Sequence, residues 1–196
     1  MPETCPVCGS KVVGEKEHHF CTGGLACPAQ LKRKLQYFAS KQAMDIQGLG
    51  EKVAQQLVDK GIIEEIPDLY RLKKEELLKL DKFADKSAEK LLEEIEVSKE
   101  VDLTSFITAL GIHRVGRETA RDLAQHFTIE QLMNASEPEL LEIEGIGPEV
   151  SESIVSFFEG SGRSLIYSLL ELGVSPEREE AREIFEGLKL VITGSI

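Results

Sequence analysis

The sequence predicts a mainly α-helical protein that carries a small metal-binding module at its N-terminus. Two observations support this prediction. All four cysteines of the 196-residue chain fall within the first 27 residues, and a nine-residue pattern recurs four times after residue 45. The hydrophobic content of 41% suffices for a buried core, but aromatic residues make up only 6% and tryptophan is missing. Leucine, isoleucine and valine must therefore fill most of that core.

The four cysteines have the spacing of a structural zinc site. They follow the pattern C-x2-C, twelve residues, then C-x5-C, and they are Cys5, Cys8, Cys21 and Cys27. Two thiolate pairs at this separation can close a tetrahedron around one zinc ion. Glycines lie just after the first pair and inside the second, where a knuckle needs positive φ and N–H groups that face sulfur. We therefore expect a four-cysteine zinc finger over residues 1–30.

Three alternatives for this cluster are two disulfides, a redox pair and histidine ligation. Disulfides are disfavoured because the N-terminus has no export signal. A redox pair is disfavoured because no βαβ pattern surrounds Cys5 and Cys8. His18 and His19 could compete as ligands, but four cysteines already complete a tetrahedral shell.

A helix is predicted directly after the zinc finger. Pro28 suits the first helical position, and Leu31, Leu35 and Phe38 recur at helical spacing. Residues 32–34 are all basic. Two interpretations of these three residues stay open: a solvated helix face, or an edge that meets phosphate.

The four copies of the repeat share a pattern of apolar and small residues. Each copy has apolar residues at its first and fourth places, a small residue at its fifth and alanine or serine at its ninth. The copies are Ile46–Ala54, Leu80–Ala88, Ile112–Ala120 and Ile143–Ser151. A period of just over 30 residues is typical of tandem supersecondary units.

Each copy predicts a helix, a tight turn of the form Gly-apolar-Gly and a second helix, which is the helix-hairpin-helix motif. The glycines are expected to provide positive φ, which costs a residue with a β-carbon about 1–2 kcal/mol. The fourth-place side chain anchors the turn between the helices, and the ninth is small because the helices cross there. Such a turn exposes backbone N–H groups at a helix N-terminus, which form an anion site. The usual ligand of this motif is a DNA phosphate.

The copies differ in the residues that would meet phosphate. The candidate DNA-binding residues are Gly48, Gly50 and Lys52 in the first copy, Arg114, Gly116 and Arg117 in the third, and Gly145 and Gly147 in the fourth. The second copy has Lys82 and Ala84 at the glycine places, which predicts a mainly structural role. Glu149 in the fourth copy is unfavourable beside phosphate. The alternative for the other three copies is a turn that only packs.

The net charge of −12 argues against a protein held on nucleic acid by bulk charge alone. Residues 1–60 carry eight basic and six acidic side chains, a balance of +2, so the remainder carries −14. Backbone amides at the hairpins would let an acidic chain bind DNA locally. The sequence has no apolar run of the ~20 residues that a membrane span needs. We therefore expect a cytoplasmic protein without a membrane partner.

Three segments resemble the bacterial NAD-dependent DNA ligases. Phe38–Gly50, which follows the cysteine knuckle, resembles the start of the family's helix-hairpin-helix domain, and Ala109–Gly116 is similar to its third hairpin. Phe185–Gly194 resembles the opening strand of its C-terminal BRCT domain. The resemblance implies a zinc finger at 1–30, a domain of four helix-hairpin-helix motifs at 31–180, and a linker with a truncated BRCT start at 181–196.

The resemblance further implies a DNA-binding fragment of an enzyme that seals nicks in replication and repair, by joining a 3′-OH to a 5′-phosphate. The family's nucleophilic lysine lies in a K-x-D-G motif, and that string does not occur in this sequence. No catalytic residue is therefore assigned, and NAD is expected to bind only the parent enzyme. The chain is expected to be a monomer that binds nicked or duplex DNA for a missing N-terminal catalytic half and is inactive alone.

Two other classes of protein stay open. One is a free-standing helix-hairpin-helix module of repair or recombination, which would need a nuclease or helicase-partner segment of its own. The other is a zinc-containing interaction scaffold, which a steep salt dependence of DNA affinity would exclude. At the C-terminus, Ser175–Arg182 is expected to be a linker, and Glu183–Ile196 is expected to be poorly ordered because it is too short to bury a core.

Overall fold

The structure, a computed structural model, describes residues 3–15 and 18–178. The described part is mainly helical, which confirms the predicted fold class. The helices are α1 (Pro28–Phe38), α2 (Glu51–Asp59), α3 (Lys74–Leu77), α4 (Asp85–Val97), α5 (Leu103–Leu110), α6 (Arg117–His126), α7 (Ile129–Asn134), α8 (Glu137–Leu141), α9 (Pro148–Glu159) and α10 (Gly162–Glu171). The strands are β1 (Val12–Glu15), β2 (His18–Cys21), β3 (Glu100–Asp102) and β4 (Ser175–Glu177). Short 3-10 helices cover Gly24–Ala26 and Ile66–Arg71.

The N-terminal module is a β-hairpin joined directly to the first helix. Strands β1 and β2 pair antiparallel, with Val12 opposite Cys21. Cys27 is the N-cap of α1, and Pro28 occupies its first turn, where a missing N–H costs nothing. The Gln30 side chain on α1 donates a hydrogen bond of 2.8 Å to the Cys21 carbonyl. Two contacts therefore fix the metal-binding module to α1, one at the end of β2 and one at Cys27.

The four repeat copies are helical hairpins that share one core. Their helix pairs are α1 with α2, α3 with α4, α5 with α6, and α8 with α9. The core runs from Leu31 in α1 to Val174 after α10, and aliphatic side chains dominate it, as predicted. The ninth-place residues Ala54, Ala88, Ala120 and Ser151 are all buried to within 1% of full burial, which confirms the predicted close helix crossings.

The expected linker from Ser175 onward is partly wrong. Ser175–Glu177 form β4, which pairs in parallel with β3 so that Ser175 lies opposite Glu100. The Ser175 N–H donates to the Lys99 carbonyl at 2.7 Å. The remaining linker residues from 179, and the expected BRCT start at 181–196, lie outside the described residues. Within residues 3–15 and 18–178, no helix is long and apolar enough to cross a membrane.

Candidate nucleic-acid interface and metal centre

The structure brings the four predicted metal ligands together. The sulfur atoms of Cys5, Cys8, Cys21 and Cys27 all lie within 4.8 Å of one another, and all four thiols are free. The Cys8 and Cys21 sulfurs are 3.4 Å apart. This is too long for a disulfide, whereas sulfurs at a Zn–S distance of about 2.3 Å in a tetrahedron lie about 3.8 Å apart. The cluster fits a single zinc ion, and among the described residues it includes no histidine.

Hydrogen bonds reach two of the four sulfur atoms, whose pKa values are shifted in opposite directions. The Gly23 N–H donates to the Cys21 sulfur at 3.3 Å, as the predicted knuckle requires. Two hydrogen bonds from Ser10 lower the pKa of the Cys8 thiol to about 6. The bond from the Ser10 side chain has the larger effect, and the bond from its backbone has the smaller one. At Cys21 the Gly23 hydrogen bond lowers the pKa, but desolvation and the neighbouring thiols outweigh it and raise the pKa to about 11. Zinc binding would therefore release protons, because all four ligands must be thiolates.

The four hairpin turns have the same backbone conformation. Their third-place residues are all left-handed, with φ of +89° at Gly48, +65° at Lys82, +64° at Arg114 and +87° at Gly145. Their fifth-place residues are extended N-caps of the second helix, with φ of −82° at Gly50, −125° at Ala84, −92° at Gly116 and −94° at Gly147. The expectation that both glycines provide positive φ is therefore wrong for the second one. Any residue can adopt this extended conformation, so the fifth-place glycine has another reason.

The β-position of this glycine is open in three hairpins, and the amide next to it has no acceptor among the described residues. A β-carbon built on Gly50, Gly116 or Gly147 would meet no atom within 4 Å. None of these three N-caps receives a side-chain hydrogen bond, and their own N–H groups have no acceptor among residues 3–15 and 18–178. A glycine here lets a ligand approach the backbone closely.

In the second hairpin, the side chain of Ser87 occupies the N-cap amide. The Ala84 N–H donates to the Ser87 hydroxyl at 2.9 Å, and that hydroxyl donates back to the Ala84 carbonyl at 2.8 Å. The amide that is free in the other three hairpins is therefore occupied here. Sequence analysis predicted the structural role from the missing glycines but overlooked Ser87, which an Ala-x-x-Ser pattern at the helix start could have revealed.

The hairpins are linked as two pairs. Between the first and second, the side-chain Oε1 of Gln56 accepts from the Asp81 N–H at 2.6 Å, and the Lys60 ammonium donates to the Lys79 backbone carbonyl at 3.0 Å. Between the third and fourth, Arg114 in one turn forms an ion pair with Glu149 in the first turn of α9.

The predicted cationic side chains differ in their freedom. Lys52 is exposed and has no ion pair or hydrogen bond within the described part of the chain. Arg114 is engaged by Glu149, and Arg117 donates to the Gln42 carbonyl at 2.8 Å. The Gln42 contact spans 75 residues, so no local pattern could have predicted it. A guanidinium has five N–H donors, so both arginines keep donors for a further acceptor.

Comparison with known proteins gives three family matches. The model of the NAD-dependent DNA ligase C4 zinc finger domain matches residues 4–29. A SAM-like helix-hairpin-helix tandem matches residues 40–96, and a helix-hairpin-helix motif matches residues 105–166. These spans coincide with the cysteine cluster, the first pair of hairpins and the second pair.

Individual relatives match over the full chain. It is 49% identical over 203 residues to a DNA ligase of Salinibacter ruber and 46% identical over 200 residues to one of Clostridium novyi. A DNA ligase of Natronomonas pharaonis is 43% identical over 199 residues. All of this chain is covered in each case, but it spans only 29–30% of the length of these relatives.

Proposed function

Since the chain belongs to the NAD-dependent DNA ligase family as its zinc-finger and helix-hairpin-helix region, we propose that it holds nicked or duplex DNA for a ligase that seals nicks. The observation that carries this proposal is the set of unpaired amides at Gly50, Gly116 and Gly147, each at the N-terminus of the second helix of its hairpin. Three such sites on paired hairpins can grip several backbone phosphates of one duplex.

Backbone donors explain how an acidic chain can bind a polyanion. Each helix N-terminus carries about half a positive charge and unpaired N–H groups, and this field acts within the first turn. The local attraction at a phosphate therefore does not depend on the net charge of −12. Contacts of this kind position a protein on DNA but read little base sequence, as suits an enzyme that must act at any nick.

The proposed DNA contacts combine these amides with nearby turn residues and cations. Gly48 and Gly145 provide the left-handed turn that presents the amides, and Lys52, Arg114 and Arg117 add positive charge. The second hairpin has no free amide for a phosphate, because Ser87 already accepts from the Ala84 N–H. Its proposed role is therefore to support the first hairpin.

Zinc has a structural role in this proposal. The four cysteines would hold the ion, which supplies binding energy that folds the small hairpin and does not take part in the reaction. Cys27 then fixes the start of α1, whose buried side chains belong to the shared core.

Adenylation and phosphodiester formation are assigned to the rest of the parent enzyme. Adenylation needs a lysine amine as nucleophile beside the cofactor phosphates. The K-x-D-G motif is missing from this sequence. The region is therefore proposed to be inactive alone, monomeric, and to work with the N-terminal catalytic half in the bacterial cytoplasm during replication and repair.

Fluorescence anisotropy with nicked, intact and single-stranded DNA tests this function. We expect duplex binding that weakens with salt, with single strands bound less tightly. Incubation with NAD should leave no AMP on the chain by mass spectrometry. A chain that binds no duplex at low salt, or that becomes AMP-linked, would contradict the proposal.

A further inference from the structure

A groove of about 610 Å³ lies between the metal-binding module, α1 and the second pair of hairpins. Its walls include Gly24 from the module, Lys34 from α1, His113 from the third turn, and Glu152 and Phe157 from α9. Lys34 lies between the stretches that the family matches cover, which end at residue 29 and resume at residue 40. No assigned motif therefore explains this lysine.

Lys34 is a half-buried cation that has a ring contact but no anionic partner among the described residues. It has no ion pair and no hydrogen-bond acceptor among the described residues, and its ammonium lies 5.9 Å from the centroid of the Phe157 ring. Desolvation by burial lowers the pKa of Lys34. Lys32, two residues earlier on the same helix, lies 2.5 Å from the Asp59 carboxylate. The chain thus neutralises one of these lysines and leaves the other facing the groove.

The groove begins beside the proposed phosphate sites. His113 immediately precedes the left-handed residue of the third turn and lies three residues before the free amide of Gly116. On α9, Glu152 lies five residues after Gly147, which corresponds to about 7 Å along a helix. Each DNA strand carries a phosphate about every 3.4 Å along the duplex axis. We therefore expect neighbouring phosphates of a strand held at these turns to lie near the groove.

We propose that this groove binds a backbone phosphate of the duplex held by the third and fourth hairpins, through the ammonium of Lys34. The site rests on the proposed function and adds to it a contact outside the four hairpin turns. A phosphate would provide the acceptor that the half-buried ammonium lacks. The exposed carboxylate of Glu152 on the opposite wall opposes this binding and limits its strength.

Substitution of the two lysines of α1 gives a matched test. Lys34→Gln should lower the duplex affinity about five- to tenfold near 0.1 M salt and lower the slope of log K against log salt by about one unit. Lys32→Gln removes the same charge from the same helix but leaves both values close to wild type, since Asp59 already neutralises that lysine. Lys34→Arg should retain most of the affinity. Circular dichroism confirms that each variant is folded.

The acidic wall gives a test in the opposite direction. Glu152→Gln should tighten duplex binding about two- to fivefold because it removes a negative charge beside the phosphate. Glu159→Gln, at the far end of α9, is the matched control and should change little.

The outcomes separate this inference from the function on which it rests. A wild-type chain that binds no duplex overturns both. A wild-type chain that binds, with Lys34→Gln equal to Lys32→Gln in affinity and slope, overturns the groove site alone. If the NMR signal of the Lys34 ammonium responds to inorganic phosphate but not to the duplex, the groove is a free-anion site and the DNA assignment is wrong.

Discussion

The two glycine places of each hairpin have different expected roles, the third place in folding and the fifth in DNA binding. The third place is left-handed in every copy, so glycine there relieves strain, whereas the fifth place is extended and open. We predict that Gly145→Ala lowers the free energy of unfolding by about 1 kcal/mol. Gly147→Ala, two residues later, should cost less. Denaturant unfolding of both variants measures the difference, and equal losses would contradict this division of roles.

The fifth-place glycine should matter for DNA more than for folding. Valine fits an extended backbone, so Gly116→Val and Gly147→Val should remain folded, but each side chain would stand beside a free amide and hinder the close approach of a phosphate. We predict about tenfold weaker duplex binding with little change in salt slope, because neutral donors are lost rather than cations. Ala84→Val is the matched control, since Ser87 already occupies that amide. A larger loss of binding at Ala84 than at Gly147 would show that the hairpins are ranked wrongly.

At the level of elements, the third and fourth hairpins are joined by an ion pair that lies at the proposed phosphate site. Glu149 lies in the first turn of α9, beside the free amide of Gly147, and it holds Arg114 from the neighbouring turn. Glu149→Gln removes a negative charge from the proposed phosphate site and releases a guanidinium. We predict tighter duplex binding by about three- to tenfold and a salt slope steeper by about one unit, measured by anisotropy across a salt series.

The third hairpin offers the control for this prediction. Glu118 occupies the same place in its copy but pairs with Arg121 in its own helix. Glu118→Gln should therefore change binding less than Glu149→Gln. Weaker binding by Glu149→Gln would show instead that the ion pair braces the two hairpins for DNA.

Local patterns made some of these elements predictable and left others hidden. The candidate zinc ligands were predictable from the cysteine spacing within 23 residues. The hairpins were predictable from the repeat, because each of its small and apolar places has one structural role. The contact of Arg117 with Gln42 and the pairing of β3 with β4 join residues about 75 positions apart. Ser175–Glu177 is short and polar, so only the packing of α10 against the core brings it beside Glu100.

The whole molecule combines a core that folds by apolar burial with a module that we expect to depend on metal. The hairpin of β1 and β2 exposes Val13 and Phe20, and the core begins only at Leu31. The free energy of zinc binding in small cysteine sites is about 10–16 kcal/mol and is coupled to folding. The helical domain, by contrast, buries aliphatic side chains from Leu31 to Val174 without using the metal.

Zinc removal should therefore unfold one part of the chain and spare the other. We predict that a chelator abolishes amide protection in residues 3–27 while most of the helical circular dichroism remains, because α1 keeps its contacts with the core through Leu35 and Phe38. Cys21→Ser should have the same effect without a chelator. A folded, reduced sample with far less than one zinc per chain would contradict the metal site. Loss of all helical signal on chelation would show instead that the metal also holds the helical domain together.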